Sequence, residues 1–126
     1  MSHIAPISMK VRTTLGAYRI VSADTAGANF AVYPSSVAHK PIGVTKDTVK
    51  DTNEAIPVII GGIAKVQFND TMSSGGLVAA DANGYGVKFV AVTTGTFYLG
   101  TLIGPAVTQT GTVADVLIQP GASSIP

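Results

Sequence analysis

Apolar and polar residues alternate in short runs along the whole chain, and glycine or proline interrupts each run. No window of about eleven residues keeps apolar positions at helical spacing without such an interruption. Short runs of β-branched and aromatic residues bounded by turn residues are typical of β-strands. The pattern predicts strands at residues 17–21, 29–33, 41–45, 56–60, 63–68, 77–80, 87–91, 97–103 and 113–119.

The clearest local signal is the turn sequence Asp81-Ala-Asn-Gly84 between two of these strands. Asn83-Gly84 favours the positive φ angles of a tight hairpin turn, so residues 77–80 and 87–90 are predicted to pair. Further glycine turns give the spacing of small sandwich and barrel proteins. We therefore expect an all-β fold, a small β-barrel or β-sandwich of short strands, with residues 55–64 as a buried strand pair. A short helical turn within residues 26–36 or 66–74 stays open.

The N-terminal stretch differs from the rest. Ala5-Pro-Ile-Ser8 disfavours a helix, and the alternating residues that follow have no obvious strand partner nearby. We expect an extended N-terminal arm at residues 1–14 and a single β-domain at residues 15–126, with a frayed terminus as the alternative. The arm is apolar enough to need a surface, so the candidate partner contacts are Ile4, Pro6, Ile7, Met9, Lys10, Val11 and Arg12.

Charge is scarce in this chain. Charged residues make up 12% of its 126 residues, against about 25% in ordinary soluble domains. Residues 61–120 carry only five, namely Lys65, Asp70, Asp81, Lys88 and Asp115. A neutral outer face invites association, so an assembly component is expected. The net charge of +1 disfavours direct nucleic-acid binding, and the ten-residue apolar run at 55–64 is too short to span a membrane.

The sequence gives little support for a catalytic site. His3 and His39 lack a framing acid or nucleophile, and the acidic residues of 47–54 do not have the spacing of a calcium loop. Glycines at Ser73-Ser-Gly-Gly76 and Gly84-Tyr-Gly86 fit turns better than phosphate loops. Lys10, Arg12 and Arg19, the one basic grouping, fit contacts on a protein surface. We expect no enzyme, no metal site and no cofactor.

Three stretches together resemble a known family. Gly76-Leu-Val78, Leu102-Ile-Gly104 and Val116-Leu-Ile-Gln-Pro120 follow the order seen in the head decoration, or capsid cement, proteins of tailed bacteriophages. The resemblance covers about half of the chain. It implies a β-rich protein made in the bacterial host cytoplasm and placed on the outer capsid surface of the virion. It further implies binding to the major capsid protein, commonly as a homotrimer at local three-fold positions, which stabilises capsomer contacts against DNA pressure.

Two other functions stay open beside this one. Another virion β-barrel, from a tail, head-completion or baseplate structure, would share the composition. A small ligand-binding β-barrel would need a lined pocket, and the aromatic residues that could line it are Tyr18, Tyr33, Phe68, Tyr85, Phe89, Phe97 and Tyr98.

Overall fold

The computed structural model describes residues 7–11, 15–23, 30–33, 41–45, 55–89 and 97–122. All regular structure in these ranges is β, which confirms the predicted all-β fold. The ten strands are β1 Ile7–Val11, β2 Ile20–Ala23, β3 Phe30–Val32, β4 Pro41–Thr45, β5 Ala55–Ile59, β6 Gly62–Gln67, β7 Leu77–Ala80, β8 Gly86–Lys88, β9 Phe97–Leu102 and β10 Val113–Ala122.

The first five strands form a closed barrel in the order β1-β3-β2-β4-β5, and β5 pairs back onto β1. Only β1 and β3 run parallel within it, and the other neighbours are antiparallel. The apolar side chains of Met9, Val21 and Val58 belong to the cluster inside this barrel. Closure leaves no edge strand with unpaired backbone N–H and C=O groups, because every strand of the barrel has a neighbour on both sides.

The expectation of a free arm at residues 1–14 is wrong for Ile7–Val11, because these residues form β1. Residues 1–6 and 12–14 lie outside the described ranges. Met9 of β1 pairs with Ile56 of β5, nearly fifty positions later in the chain. The sequence pattern does not reveal this partner of β1, because local patterns indicate pairing only between neighbouring segments. A β-domain starting at residue 15 would therefore lack one strand of the barrel.

The last five strands form a second sheet in the order β6-β10-β9-β7-β8, with antiparallel neighbours. A single bridge between Phe68, just after β6, and Gly86 of β8 brings the two edge strands together at one corner. The sheet is therefore curled. A register shift in β10 between Ile118 and Gly121 interrupts its pairing with β9.

The predicted hairpin of β7 and β8 is confirmed, but its turn differs from the expected one. Gly84 has a φ of +79°, whereas Asn83 is not among the residues with positive φ. The Asp81 carboxylate accepts the N–H groups of Asn83 and Tyr85, both at 2.9 Å. A local side-chain acceptor thus orders a five-residue loop where a two-residue turn was expected.

Other predicted strands match with shifts of a few residues at their ends. One strand begins later than expected, and one open alternative is settled. The predicted strand at 17–21 begins only at Ile20, since Ala17 and Tyr18 form a turn, and residues 66–74 contain no helical turn. Residues 55–64 do contain two strands, but β5 belongs to the barrel and β6 to the curled sheet, so they do not pair with each other.

The barrel and the curled sheet share an apolar core. Ile20 and Val44 of the barrel lie in the same cluster as Val66 and Leu102 of the curled sheet, and all four are fully buried. Val21, next to Ile20, points instead into the barrel interior. β2 is therefore covered on both faces, and even its polar residue Ser22 is fully buried.

Candidate interaction surfaces

Four strands of the curled sheet each place one residue at the same level. Ile63 pairs with Leu117, Leu117 with Thr101, and Thr101 with Leu77. Directly paired residues on adjacent strands point to the same face. Ile63 is 52% exposed and Leu77 39% exposed, so this face is the outer one. We call these four residues the outer row.

An ion pair lies one level away from the outer row. Lys65 Nζ is 3.2 Å from Asp115 Oδ1, and both side chains are well exposed. Ile103 donates its N–H to the carbonyl of Asp115, and Val113 lies at the next outward position of β10. Both side chains are exposed. The outer face is thus apolar around a pair of charges that cancel, and such an exposed pair adds little stability.

An open groove of about 600 Å³ adjoins the Leu77 end of the outer row. Its lining is mixed: Met72, Leu77, Phe89 and Val107 are apolar, and Thr71, Ser73, Lys88 and Thr108 are polar or charged. Met72 and Val107 exchange two backbone hydrogen bonds, at 3.0 and 2.9 Å, which fix the two sides of the groove. Its open shape and mixed lining suit a side chain from a protein partner.

Arg19 forms the most developed polar site in the described ranges. Its guanidinium carbon is 3.8 Å from the centre of the Tyr85 ring and 5.7 Å from the centre of the Tyr33 ring. Nη1 donates to the carbonyl of Asn83 at 2.9 Å, and Nη2 donates to the Tyr85 hydroxyl at 2.7 Å. The guanidinium is thereby held by the β7–β8 loop, although Arg19 directly precedes β2 of the barrel.

The chain around Arg19 joins the two sheets through its backbone as well. Tyr18 donates its N–H to the carbonyl of Thr45 in β4 and accepts the N–H of Gln67 in β6. Its φ of +60° is unusual for a residue other than glycine and carries strain that these bonds offset. The buried Thr45 hydroxyl donates to the carbonyl of Gly16 at 2.6 Å. The site therefore fastens the barrel to the curled sheet.

The structure places the predicted contact residues in different environments. Met9 was expected on a partner-facing surface, and this is wrong, because its side chain is only 6% exposed inside the barrel. Lys10 is exposed on β1. Ile7 and Val11 occupy the ends of β1, and Ile4, Pro6 and Arg12 lie outside the described ranges. Arg19 was grouped with Lys10 and Arg12 as a surface contact, but its side chain instead joins the barrel to the curled sheet.

The candidate aromatic residues do not line one pocket. Tyr33 and Tyr85 hold Arg19, and Phe68 is buried in the shared core. Phe89 and Tyr98 pack edge to face with ring centres 5.3 Å apart. The glycines at 75 and 84 lie in turns with positive φ, as expected for turn residues.

The described ranges contain neither a metal-binding cluster nor a membrane-spanning helix. No group of three or more His, Asp or Glu side chains lies close enough there to hold a metal ion. His3, His39 and residues 47–54 lie outside these ranges. No helix in the described part of the chain is long and apolar enough to cross a membrane.

Sequence comparison finds no matching family model and no matching curated protein. Structure comparison does find a similar fold. The head fiber gp8.5 N base of bacteriophage phi29 superposes with a TM-score of 0.71 at 13% sequence identity. The match covers 92% of this chain and 93% of that chain. The two proteins therefore share a fold across nearly their whole lengths.

Proposed function

We propose that this chain is a structural protein of a bacteriophage virion that decorates the outer surface of the head. In this proposal it binds the major capsid protein as homotrimers at local three-fold positions and stabilises capsomer contacts against the pressure of packaged DNA. It acts by binding and carries out no catalysis.

The observation that supports the proposal most is the shared fold with a phage head protein across almost all of both chains. The exposed apolar outer face adds independent support, because residues such as Ile63 and Leu77 are suited to contacts with other proteins. The mechanism rests on multivalency. Linking several weak contacts raises apparent affinity by about 10² to 10⁴ without any new contact.

The base of a head fiber is the second candidate, favoured by what the phi29 protein is named for. A fiber base would attach a projecting structure to the head, whereas a decoration protein would cover the shell itself. Both candidates predict that the protein lies on the outside of the head, and they differ in what is attached to it.

The test is electron microscopy of particles produced with and without the gene for this chain, combined with quantitative mass spectrometry of purified virions. Decoration predicts many copies per head at three-fold positions and earlier DNA loss on heating when the gene is deleted. A fiber base predicts few copies and the loss of visible fibers. Absence of the protein from purified virions would contradict both candidates. Equal heat resistance at full occupancy would contradict the stabilising role.

A further inference from the structure

The two ends of the outer row face different directions. The row runs around a curled sheet whose edge strands meet at the bridge between Phe68 and Gly86. Ile63 lies on one edge strand, and Leu77 lies three strands further around the curve. A partner lying flat against Ile63 therefore leaves Leu77 uncovered. Two partners, one at each end, are needed to cover both.

The two ends also have complementary shapes. Ile63 is the most exposed of the large apolar side chains described, so its end of the row projects into solvent. The other end opens into the groove lined by Met72, Leu77, Phe89 and Val107. An isoleucine inserted there would be removed from water together with the groove lining, and such burial is the main favourable term in protein association.

Charges beside the two ends complement each other as well. Lys65 and Asp115 lie next to Ile63. Lys88 is one of the residues that line the groove, and Asp70 is close by, since its carboxylate accepts the backbone N–H of Lys88 at 3.2 Å. Each end thus carries one cation and one anion, and a contact in the right register places opposite charges next to each other across it. Complementary charges of this kind fix the register of a contact more than its strength.

From these observations we infer that the partner at each end is a second copy of this chain, with Ile63 of one copy seated in the Leu77 groove of the next. The two patches are unlike, so the contact is head-to-tail, and such contacts close into rings when the rotation between copies allows it. The inference deepens the proposed homotrimer by assigning the surfaces that hold it together.

Cysteine cross-linking of the purified protein tests the contact directly, because the natural chain contains no cysteine. The variant carrying both Ile63→Cys and Leu77→Cys should form intermolecular disulfides at millimolar protein concentration, giving a ladder that ends in a covalent ring. Each single variant should stay monomeric under the same oxidation, since a head-to-tail contact does not bring like positions together. Disulfides require Cα atoms within roughly 7 Å, so the readout is specific to the proposed geometry.

The matched control is the variant carrying Val113→Cys and Leu77→Cys, because Val113 is also apolar and 41% exposed but lies away from the Ile63 end. Cross-linking of the 63 and 77 pair should exceed this control by roughly tenfold, as expected for residues held at high effective concentration. Yields no higher than the control would overturn the inference, and efficient cross-linking of the single Ile63→Cys variant would replace it with a two-fold contact.

A mixing experiment checks the same contact without oxidation. Ile63→Asp and Leu77→Asp should each abolish self-association while leaving the circular dichroism of the β-fold intact. When mixed, the two variants still offer one natural junction, so they should form a heterodimer that cannot close. No association in the mixture, where the natural chain associates, would contradict the head-to-tail arrangement. Neither experiment uses phage particles, so failure here leaves the test of head attachment independent.

Discussion

Arg19 stacks on the ring of Tyr85 at 3.8 Å, although the two residues are 66 positions apart and belong to different halves of the fold. The same guanidinium reaches the carbonyl of Asn83 in the β7–β8 loop. One side chain thus connects the start of the barrel strand β2 to the hairpin of the curled sheet. The stability of the contact between the barrel and the curled sheet should therefore depend on the planar guanidinium of Arg19.

Replacing Arg19 with lysine should destabilise the protein despite keeping the charge. A lysine cannot stack and donate to two acceptors at once, so we expect a loss of about 1–3 kcal/mol in the free energy of unfolding. Urea denaturation followed by fluorescence measures it. Lys65→Ala is the control, because its exposed ion pair should contribute no more than about 1 kcal/mol. Equal effects of the two substitutions would contradict a structural role for Arg19.

Gly84→Ala should destabilise the fold more than Gly111→Ala. Both glycines have positive φ, +79° and +89°, so alanine costs about 1–2 kcal/mol of backbone strain at either position. A Cβ at Gly84 would also lie 2.7 Å from both the carbonyl oxygen of Ile20 and the ring of Tyr33, whereas a Cβ at Gly111 meets nothing within 4 Å. The difference between their unfolding free energies therefore isolates the crowding at the junction. No difference would mean that the loop can move away at no cost.

Gly100→Ala should be poorly tolerated for a reason unrelated to φ. A Cβ at this position of β9 would collide with the carbonyl oxygen of Leu117 in β10. Accommodating it must push the strands apart, and overpacking of this kind costs about 1–3 kcal/mol. Gly104→Ala is the matched control, because its Cβ would meet Asp115 at an ordinary 3.5 Å. Thermal denaturation should rank Gly100→Ala well below Gly104→Ala, and the reverse order would refute the close approach of β9 and β10.

Met9→Ala should lower stability, while Lys10→Ala should not. Met9 is buried in the barrel, so its truncation is expected to cost about 2–5 kcal/mol. Lys10, its exposed neighbour on β1, should change stability by less than about 0.5 kcal/mol. Chemical denaturation of both variants distinguishes a strand of the barrel from a free arm. An unaffected Met9→Ala variant would restore the arm interpretation.

The features predictable from the sequence were the local ones. The hairpin of β7 and β8 was found because its strands adjoin and Gly84 lies in the turn between them. The missing β1 shows the limit, since Met9 and Ile56 are brought together only by closure of the barrel. A period of two indicates which residues share a face of a strand, but the strand order determines whether that face meets solvent.

For the candidate surfaces, too, the local features could be predicted from the sequence and those that depend on strand order could not. The scarcity of charge correctly indicated apolar patches on the outside, as Ile63 and Leu77 demonstrate. Their alignment across four strands depends on the strand order, which no local pattern contains. Arg19 appeared to be an ordinary surface cation, because its two tyrosine partners lie 14 and 66 positions away.

The closed order of the barrel also constrains how the protein is made. β1 is synthesised before both of its neighbours, and one of them, β5, ends only at Ile59. β1 must therefore wait, with one edge unpaired, until the residues up to Ile59 have been synthesised. Pairing across such a separation slows folding and exposes an apolar edge meanwhile. The barrel therefore cannot close, and newly made copies cannot assemble in their folded form, before β5 has emerged from the ribosome.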